Sequence, residues 1–580
     1  MTKRVAVIGA GCTGLAAVKC CLEEGLEPVC FESSSDVGGL WRFTENVTDS
    51  RGCVMKTTVI NTSKEMMSFS DFPAPREFPN FMHHSKVLEY YRLYADRFNL
   101  LTYINFNTQV ISIKPNLATK QPHRHNTPMA GGKQTSSQIL SPEAAKQIKR
   151  KQHSATSKTD DIRLWEVEIQ DHLATRKEYF DFVLICTGHH ADVHMPYFPG
   201  QAIFQGKIVH SRDLRDADQV SGTRHVVVGI GNSGCDAAVE LSRHGQVFLS
   251  TRRGTWLMHR LLGRGLPADI SYMSRFIFAT ALSLPHFMLN KLASWNLDQK
   301  VDHTLYGLRP KHGPFATHPT VNDELPNRIA SGHVVIKTNI ESFTATGIHF
   351  EDGSVEENID TVVMATGYRI GFPFLDESVM KVEGNHTQLY LHMFPPSTHP
   401  PSLAVIGCVQ PGGAIGPISE MQCRLAARVF KGELELPAQK EMIKDITKER
   451  ELLLKRFIKT QRHTVQVDYV PYMDRLANLI GCKPKWGALL SSDPYLALVC
   501  IFGPCTSYQY RLFGPGTWPG ARDAILTQME RVRFPFHSKR LENQNCLGIS
   551  AAIVGTLLLG CLVVACGCNI AVGSIKRFNF

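Results

Sequence analysis

Glycines at fixed spacing leave this chain few folds to adopt. Gly9-Ala10-Gly11-Cys12-Thr13-Gly14 follows the apolar run at 5–8, and Gly229-Ile230-Gly231-Asn232-Ser233-Gly234 follows the apolar run at 226–228. Each reads as a GxGxxG turn between a strand and a helix. In that setting the first glycine makes the tight turn, the second lets backbone approach a pyrophosphate, and the third lets the helix pack close to the strand. Two such turns call for an α/β fold with two Rossmann-like dinucleotide-binding domains.

The residues that close the next strand differ in charge. After the first turn the pattern predicts a helix over 15–22 and a strand over 28–31 that ends in Glu32. A carboxylate there accepts hydrogen bonds from a free ribose and repels a 2′-phosphate, which suits FAD or NAD. After the second turn the strand over 246–249 ends in Ser250-Thr251-Arg252-Arg253. Those hydroxyls and guanidiniums suit the 2′-phosphate of NADPH. Each helix N-terminus aims backbone N–H groups at a pyrophosphate, so Thr13 and the stretch Ser233, Gly234, Cys235, Asp236 are expected against phosphate.

A net charge of +10 invites a nucleic-acid reading, but its location argues against one. Residues 116–159 hold eight Lys/Arg against the single carboxylate Glu143, which supplies seven of those ten charges. That segment is rich in polar residues and nearly free of aromatics, so it reads as a disordered basic insertion. The sixteen cysteines form no C-x-x-C pair and no metal-type spacing, which reads as reduced thiols in a cytosol-facing protein. It also removes the redox pair that a flavin disulfide reductase needs. From 543 to 575 no residue is charged. Its core at 547–568 approaches the ~20 apolar residues that span a bilayer. The expectation is a C-terminal membrane-anchoring helix over 547–573, reached by a basic linker at 537–546, with the bulk of the chain in the cytosol.

Two further strands end alike, the run at 181–186 in Thr187-Gly188 and the run at 360–365 in Thr366-Gly367. They bracket the second glycine turn. The predicted organisation is therefore an FAD-binding domain over 1–189, an NADPH-binding domain over 190–331 inserted in it, the FAD domain again over 332–445, and a C-terminal globular region over 446–536. A hairpin is expected around 351–355.

Longer segments resemble the flavin-containing monooxygenases of the microsomal, class B type. They include Gly38-Gly39-Leu40-Trp41, the stretch from Asn61 to Pro73, Phe204 to Asp213, Thr320 to Asn327, and Ala365-Thr366-Gly367-Tyr368. The family signature FxGxxxHxxx(Y/F) begins here at Phe204, runs through Gly206 and His210, and ends in Leu214 instead of an aromatic. The resemblance implies FAD contacts at Gly9 to Thr13, Glu32, Leu40, Trp41, Asn61 and Thr62. It implies NADP contacts at Ile60, Asn61 and Ser233 to Asp236. It also implies the reaction: NADPH reduces FAD, the flavin traps O2 as a C4a-hydroperoxide, and a lipophilic soft nucleophile, an amine nitrogen or a sulfide, takes one oxygen. The alternatives left open are insertion of oxygen beside a ketone, as in related enzymes, NADPH oxidase activity, and a membrane-tethered nucleotide-binding relic without activity. The endoplasmic reticulum membrane is the location implied, and the oligomeric state is left open.

Asn61 is the candidate catalytic residue, because an amide carries both a donor and an acceptor with which to orient an oxygenating intermediate or a nicotinamide amide. His210 and the pair His189-His190 read as structural. No Ser/His/Asp triad has convincing spacing.

Overall fold

The computed structural model describes residues 2–47, 51–116, 163–398 and 400–536. Two five-stranded parallel sheets organise them. In the first the order is Leu403–Val405, Phe182–Ile185, Arg4–Ile8, Glu27–Phe31, Ile104–Asn105. In the second it is Val334–Lys337, Gln246–Ser250, Arg224–Val228, Thr361–Met364, Lys207–His210. The strand that feeds a glycine turn is central in each sheet. Burial on both faces explains why these strands read as unbroken apolar runs rather than alternating ones. The helices Cys12–Glu23 and Asn232–Leu241 leave the two turns, the first three residues longer at its start than the pattern predicts.

The domain boundaries differ from the expected ones. Val334–Lys337 pairs with Gln246–Ser250, and Thr361–Met364 pairs with Arg224–Val228, so neither belongs to the first sheet. The return expected at 332 occurs at Leu403–Val405, which pairs with Phe182–Ile185. The two strands ending in Thr-Gly do not bracket the inserted unit. Each lies beside the glycine-turn strand of its own sheet, Phe182–Ile185 beside Arg4–Ile8 and Thr361–Met364 beside Arg224–Val228. The hairpin expected at 351–355 joins Ile348–Phe350 to Val355–Glu356.

The region 446–536 does not stand as a separate globule. The helix Ile415–Lys431 is buried almost throughout, so it needs cover on several sides. That cover comes from Cys12–Glu23 and Tyr469–Ile480, and Gln466–Val467 pairs in parallel with Gln410–Pro411 just ahead of the helix. Tyr469, Met473, Cys505 and Tyr510 share one core with Val5 and Leu15. A buried ion cluster adds to the join. Arg511, 2% exposed, reaches Glu420 at 2.9 Å and Asp71 at 3.1 Å, and Asp71 also pairs with Lys19.

Leu214, where the resemblance leads one to expect an aromatic, is 4% exposed and packs with Val227 and Leu241 in the core of the second unit. The basic segment opens from a closed hairpin, since Gln109–Pro115 runs antiparallel to Trp165–Gln170 with Pro115 opposite Trp165. Most of the insertion expected at 116–159 lies outside the described residues, as do the linker and anchor expected beyond 536. Among the described residues no helix is long and apolar enough to cross a membrane.

Candidate active site

The first glycine turn is built for close approach. Gly9 has φ +97°, a backbone region open to glycine at little cost. Its N–H donates to the Phe31 carbonyl at 2.8 Å. A Cβ on Gly14 would lie 1.8 Å from the Gly9 carbonyl oxygen, so the helix sits against the strand at a distance only glycine permits. Gly11 caps the helix in extended geometry without a side-chain acceptor. The first N–H groups of Cys12–Glu23 are therefore left to a ligand or solvent. Gly38 donates to the Ala10 carbonyl at 3.1 Å, which brings the turn Gly39–Trp41, with Leu40 and Trp41, against Gly11.

Glu32 is 5% exposed and ties this turn to the loop that follows the next strand. One oxygen accepts the Ala10 N–H at 2.7 Å, and the other accepts the Ser34 N–H at 2.9 Å and hydroxyl at 2.6 Å. The carboxylate thus stays anchored, and its remaining lone-pair capacity can accept from a ribose. Thr13, expected against phosphate, turns its side chain inward and leaves only its backbone N–H for a ligand. Its hydroxyl donates to Ser419 at 3.3 Å inside the domain, and the residue is 7% exposed.

The second turn repeats the first. Gly229 has φ +106°, and its N–H donates to the Ser250 carbonyl at 2.9 Å. A Cβ on Gly234 would lie 1.9 Å from the Gly229 oxygen. Beyond the strand, Ser250 spends its hydroxyl on the Thr338 carbonyl at 2.7 Å. Thr251 accepts the Gly254 N–H at 3.0 Å, and the Arg252 and Arg253 side chains are exposed. The stretch expected against phosphate is split by the helix period. Ser233 is exposed, whereas Cys235 lies wholly in the domain core. Asp236 accepts from Asn322 Nδ2 at 2.9 Å, and burial raises its carboxyl to about 6.

Sequence reasoning missed Arg462. A Cβ on Gly231 would lie 3.4 Å from its Nη1, yet Arg462 is 231 residues further along the chain, so no local pattern could connect them. Its guanidinium makes no hydrogen bond or ion pair among the described residues. Three imidazoles crowd the same place. Burial, reinforced by the Arg462 charge, pushes His318 down to about 3 and His463 to about 4, while His190 beside them is exposed. A guanidinium without a partner beside a glycine turn is a ready anion site.

Asn61 lies in a loop between the two units. Ile60 is fixed by its N–H to the Met82 carbonyl at 2.9 Å, and Ser63 donates its N–H to Asp269 at 2.6 Å. Burial raises the Asp269 carboxyl to about 6. Thr62 is partly exposed beside them. The Asn61 carbonyl oxygen accepts from Arg260 Nη2 at 2.7 Å. Of the donor and acceptor that the amide offers, Arg260 thus engages the acceptor, and the N–H2 has no partner among the described residues. His210 is structural, with one ring nitrogen accepting the Arg212 N–H at 3.0 Å and the other 3.1 Å from the Gly367 carbonyl.

The two glycine cradles that a Cβ would fill, the helix N-termini without side-chain caps, the anchored Glu32 and the partnerless Arg462 fit two bound dinucleotides. The chain matches the family described as Flavin-binding monooxygenase-like over residues 2–137 and 144–570. It is 46% identical over 566 residues to flavin-containing monooxygenase 5 of Cavia porcellus, covering 97% of this chain and 98% of that protein. It is 42% identical over 567 residues to dimethylaniline monooxygenase [N-oxide-forming] 2 of Mus musculus, covering 97% and 98%. Among solved structures it resembles S-allyl-L-cysteine S-oxygenase from Allium sativum, with a TM-score of 0.58 at 21% identity over 91% of this chain and 98% of that one. It also resembles the NADP+-bound cyclohexanone monooxygenase from Rhodococcus sp. Phi1, with a TM-score of 0.56 at 17% identity over 83% and 98%. At those identities the likeness speaks for the fold. Matched over nearly its whole length by family and by relatives, the chain belongs to the flavin-containing monooxygenases, FAD- and NADPH-dependent oxidoreductases.

Proposed function

We propose that this monooxygenase transfers oxygen to soft nucleophiles, an amine nitrogen or a sulfide sulfur, with FAD in the first glycine turn and NADPH in the second. The observation that carries the reading is the Arg260–Asn61 hydrogen bond, which joins a loop of the second unit to a loop of the first. The backbone of Gly9 to Gly14, with Glu32, Leu40, Trp41, Asn61 and Thr62, would hold FAD. Ile60, Asn61, the 229–234 turn with Ser233, Thr251, Arg252 and Arg462 would hold NADPH. Bound FAD, reduced by hydride from NADPH, supplies the activation of O2. The protein's share is orientation and exclusion of water. Asn61 offers an amide donor at the junction, and the buried loop around Ser63 keeps that amide in place.

The relative named for N-oxide formation favours heteroatom oxygenation over ketone insertion. The test is mass analysis of products from a panel of amines, sulfides and ketones incubated with NADPH and labelled O2. One labelled oxygen on nitrogen or sulfur supports the reading, and labelled esters or lactones alone would replace it.

The membrane attachment belongs to the same proposal. It is supported by the uncharged run at 543–575 and by an apolar face on the body. The helices Arg275–Ser283 and His286–Asp298, with their link, expose Leu282, Phe287, Leu292 and Trp295 by 65%, 72%, 48% and 63%. Side chains of that size, exposed together, mark an interaction surface. The endoplasmic reticulum membrane is the surface proposed.

A further inference from the structure

Arg260 belongs to no motif in the sequence, yet it holds the candidate catalytic residue, Asn61, from across the two units. Its Nη2 donates to Asn61 Oδ1 at 2.7 Å and to the Val59 carbonyl at 3.3 Å, so the guanidinium holds this loop at two points. Arginine carries only donors. The contact therefore decides which end of the amide faces it: the oxygen is turned to Arg260 and the N–H2 is turned away, with no partner among the described residues.

Arg260 is itself fixed. Asp323 accepts its Nη1 at 3.0 Å and its backbone N–H at 3.0 Å. Burial works against the charge of Asp323, but hydrogen bonds from His259 and Arg260 hold its carboxyl below the usual carboxylate range. The strand pair Leu257–Met258 and Thr320–Val321 sets Arg260 and Asp323 side by side. The two residues before Asp323 reach the helix of the second glycine turn. The Val321 N–H donates to Asn232 Oδ1 at 2.8 Å, and Asn322 Nδ2 donates to Asp236 Oδ1 at 2.9 Å. A continuous set of hydrogen bonds thus runs from Asn232 and Asp236, through 321–323 and Arg260, to Asn61.

We propose that Arg260 is a positioning residue for oxygenation: it presents the Asn61 amide to the cofactors as a donor only, and it ties that presentation to the NADPH-binding turn. The inference rests on the role given to Asn61 above. It assigns the work of Asn61 to its N–H2, since Arg260 engages the amide oxygen and the N–H2 has no partner among the described residues.

The test uses the full-length holoenzyme and measures NADPH consumed, hydrogen peroxide released and oxygenated product formed in one vessel. FAD content and NADP+ affinity of the oxidised enzyme, followed by flavin absorbance, are read alongside. Arg260→Met should raise the peroxide-to-product ratio by about tenfold, the scale of a lost charge-assisted hydrogen bond. It should do so with FAD content unchanged. Asn61→Leu should do the same, and the double variant should match either single one, because both act through one amide. Asn61→Asp separates donor from acceptor: it keeps a partner for Arg260 and removes the N–H2, so it should uncouple as fully as Asn61→Leu. If Asn61→Leu stays coupled, the role of Asn61 falls and this inference falls with it. If Asn61→Leu uncouples while Arg260→Met does not, or if the double variant shows the product of two separate effects, Arg260 acts elsewhere and only this inference is overturned. Should Arg260→Met fail to retain FAD, the Asn61→Asp and Asn61→Leu pair decides: equal uncoupling supports the donor-only amide, and a coupled Asn61→Asp enzyme overturns it.

Discussion

Two arginines meet the second turn in different ways, and a substitution at each should read differently. Arg252 stands beyond the strand end, where a 2′-phosphate would lie, whereas Arg462 stands 3.4 Å from where a Cβ on Gly231 would be, over the pyrophosphate position of a glycine turn. A charge-assisted contact is worth roughly 1.5 to 3 kcal/mol. Arg252→Ala should therefore raise the KM for NADPH by about tenfold or more and leave NADH nearly unchanged. Arg462→Ala should weaken NADP+ and NAD+ alike, because both carry the pyrophosphate. Titration of the two coenzymes against both variants checks this, and equal loss of both with Arg252→Ala would remove it from the 2′-phosphate. The imidazoles around Arg462 predict an acid effect. Held near 3 and 4 in the folded chain, His318 and His463 take up protons near 6.5 when unfolded. The unfolded chain then binds more protons between those values, so their contribution is full above pH 6.5 and is lost as pH falls toward 4. Asp236 and Asp269, raised to about 6, act in the opposite sense, their native protons favouring the fold as pH falls from 6 toward 4. The clean signal is therefore a comparison. His463→Gln keeps an acceptor for the His318 N–H, now held at 3.2 Å, and should flatten the melting temperature between pH 7 and 5. An unchanged slope would show that His463 does not titrate this way.

The same glycine spacing makes one structural device twice, so the devices can be broken one at a time. A Cβ at Gly14 or Gly234 would stand 1.8 or 1.9 Å from a backbone oxygen, which cannot move without parting helix from strand. Forcing extra volume into such a contact costs about 1 to 3 kcal/mol or more. Gly14→Ala should lose FAD. Gly234→Ala should keep FAD and lose NADP+ binding, and Gly412→Ala, with open space around it, should change neither. Bound flavin per chain and NADP+ titration measure all three, and retained NADP+ affinity in Gly234→Ala would refute the close-packing argument. These devices were legible in the sequence because each lies within a few residues. Glu32 and the hairpin near 351–355 were legible for the same reason. The strands at 182–185 and 361–364 show the limit. Both are short apolar runs ending in Thr-Gly, and nothing local says that one pairs with Arg4–Ile8 and the other with Arg224–Val228. Arg260 and Arg462 were invisible because their partners, Asn61 and Gly231, lie 199 and 231 residues away.

Over the whole molecule, the segment at 466–536 closes the first unit, and this bears on how the chain can be cut. Arg511 joins Glu420 and Asp71, and Arg531 joins Glu65 at 2.7 Å, all within a core that also holds the strand of the first glycine turn. Removing one partner of a buried pair costs about 3 to 5 kcal/mol, so a cut inside this segment should abolish flavin binding. A chain ending at Asn545 keeps all of it and should keep its FAD. Such a chain loses the uncharged run, so it should leave the carbonate-washed membrane pellet. It still carries Phe287 and Trp295, exposed by 72% and 63%, on the helix that follows Arg275–Ser283. An apolar face of this kind binds an interface reversibly, without the permanence of a span. The truncated chain should therefore co-sediment with phospholipid vesicles at neutral pH, be released by carbonate, and lose the vesicle binding on Phe287→Ser with Trp295→Ser while FAD content holds. Retention of the truncated chain in the carbonate-washed pellet would place the anchor in the body. Release into the supernatant with no affinity for vesicles would leave the uncharged run as the whole of the attachment and give the apolar face to another partner.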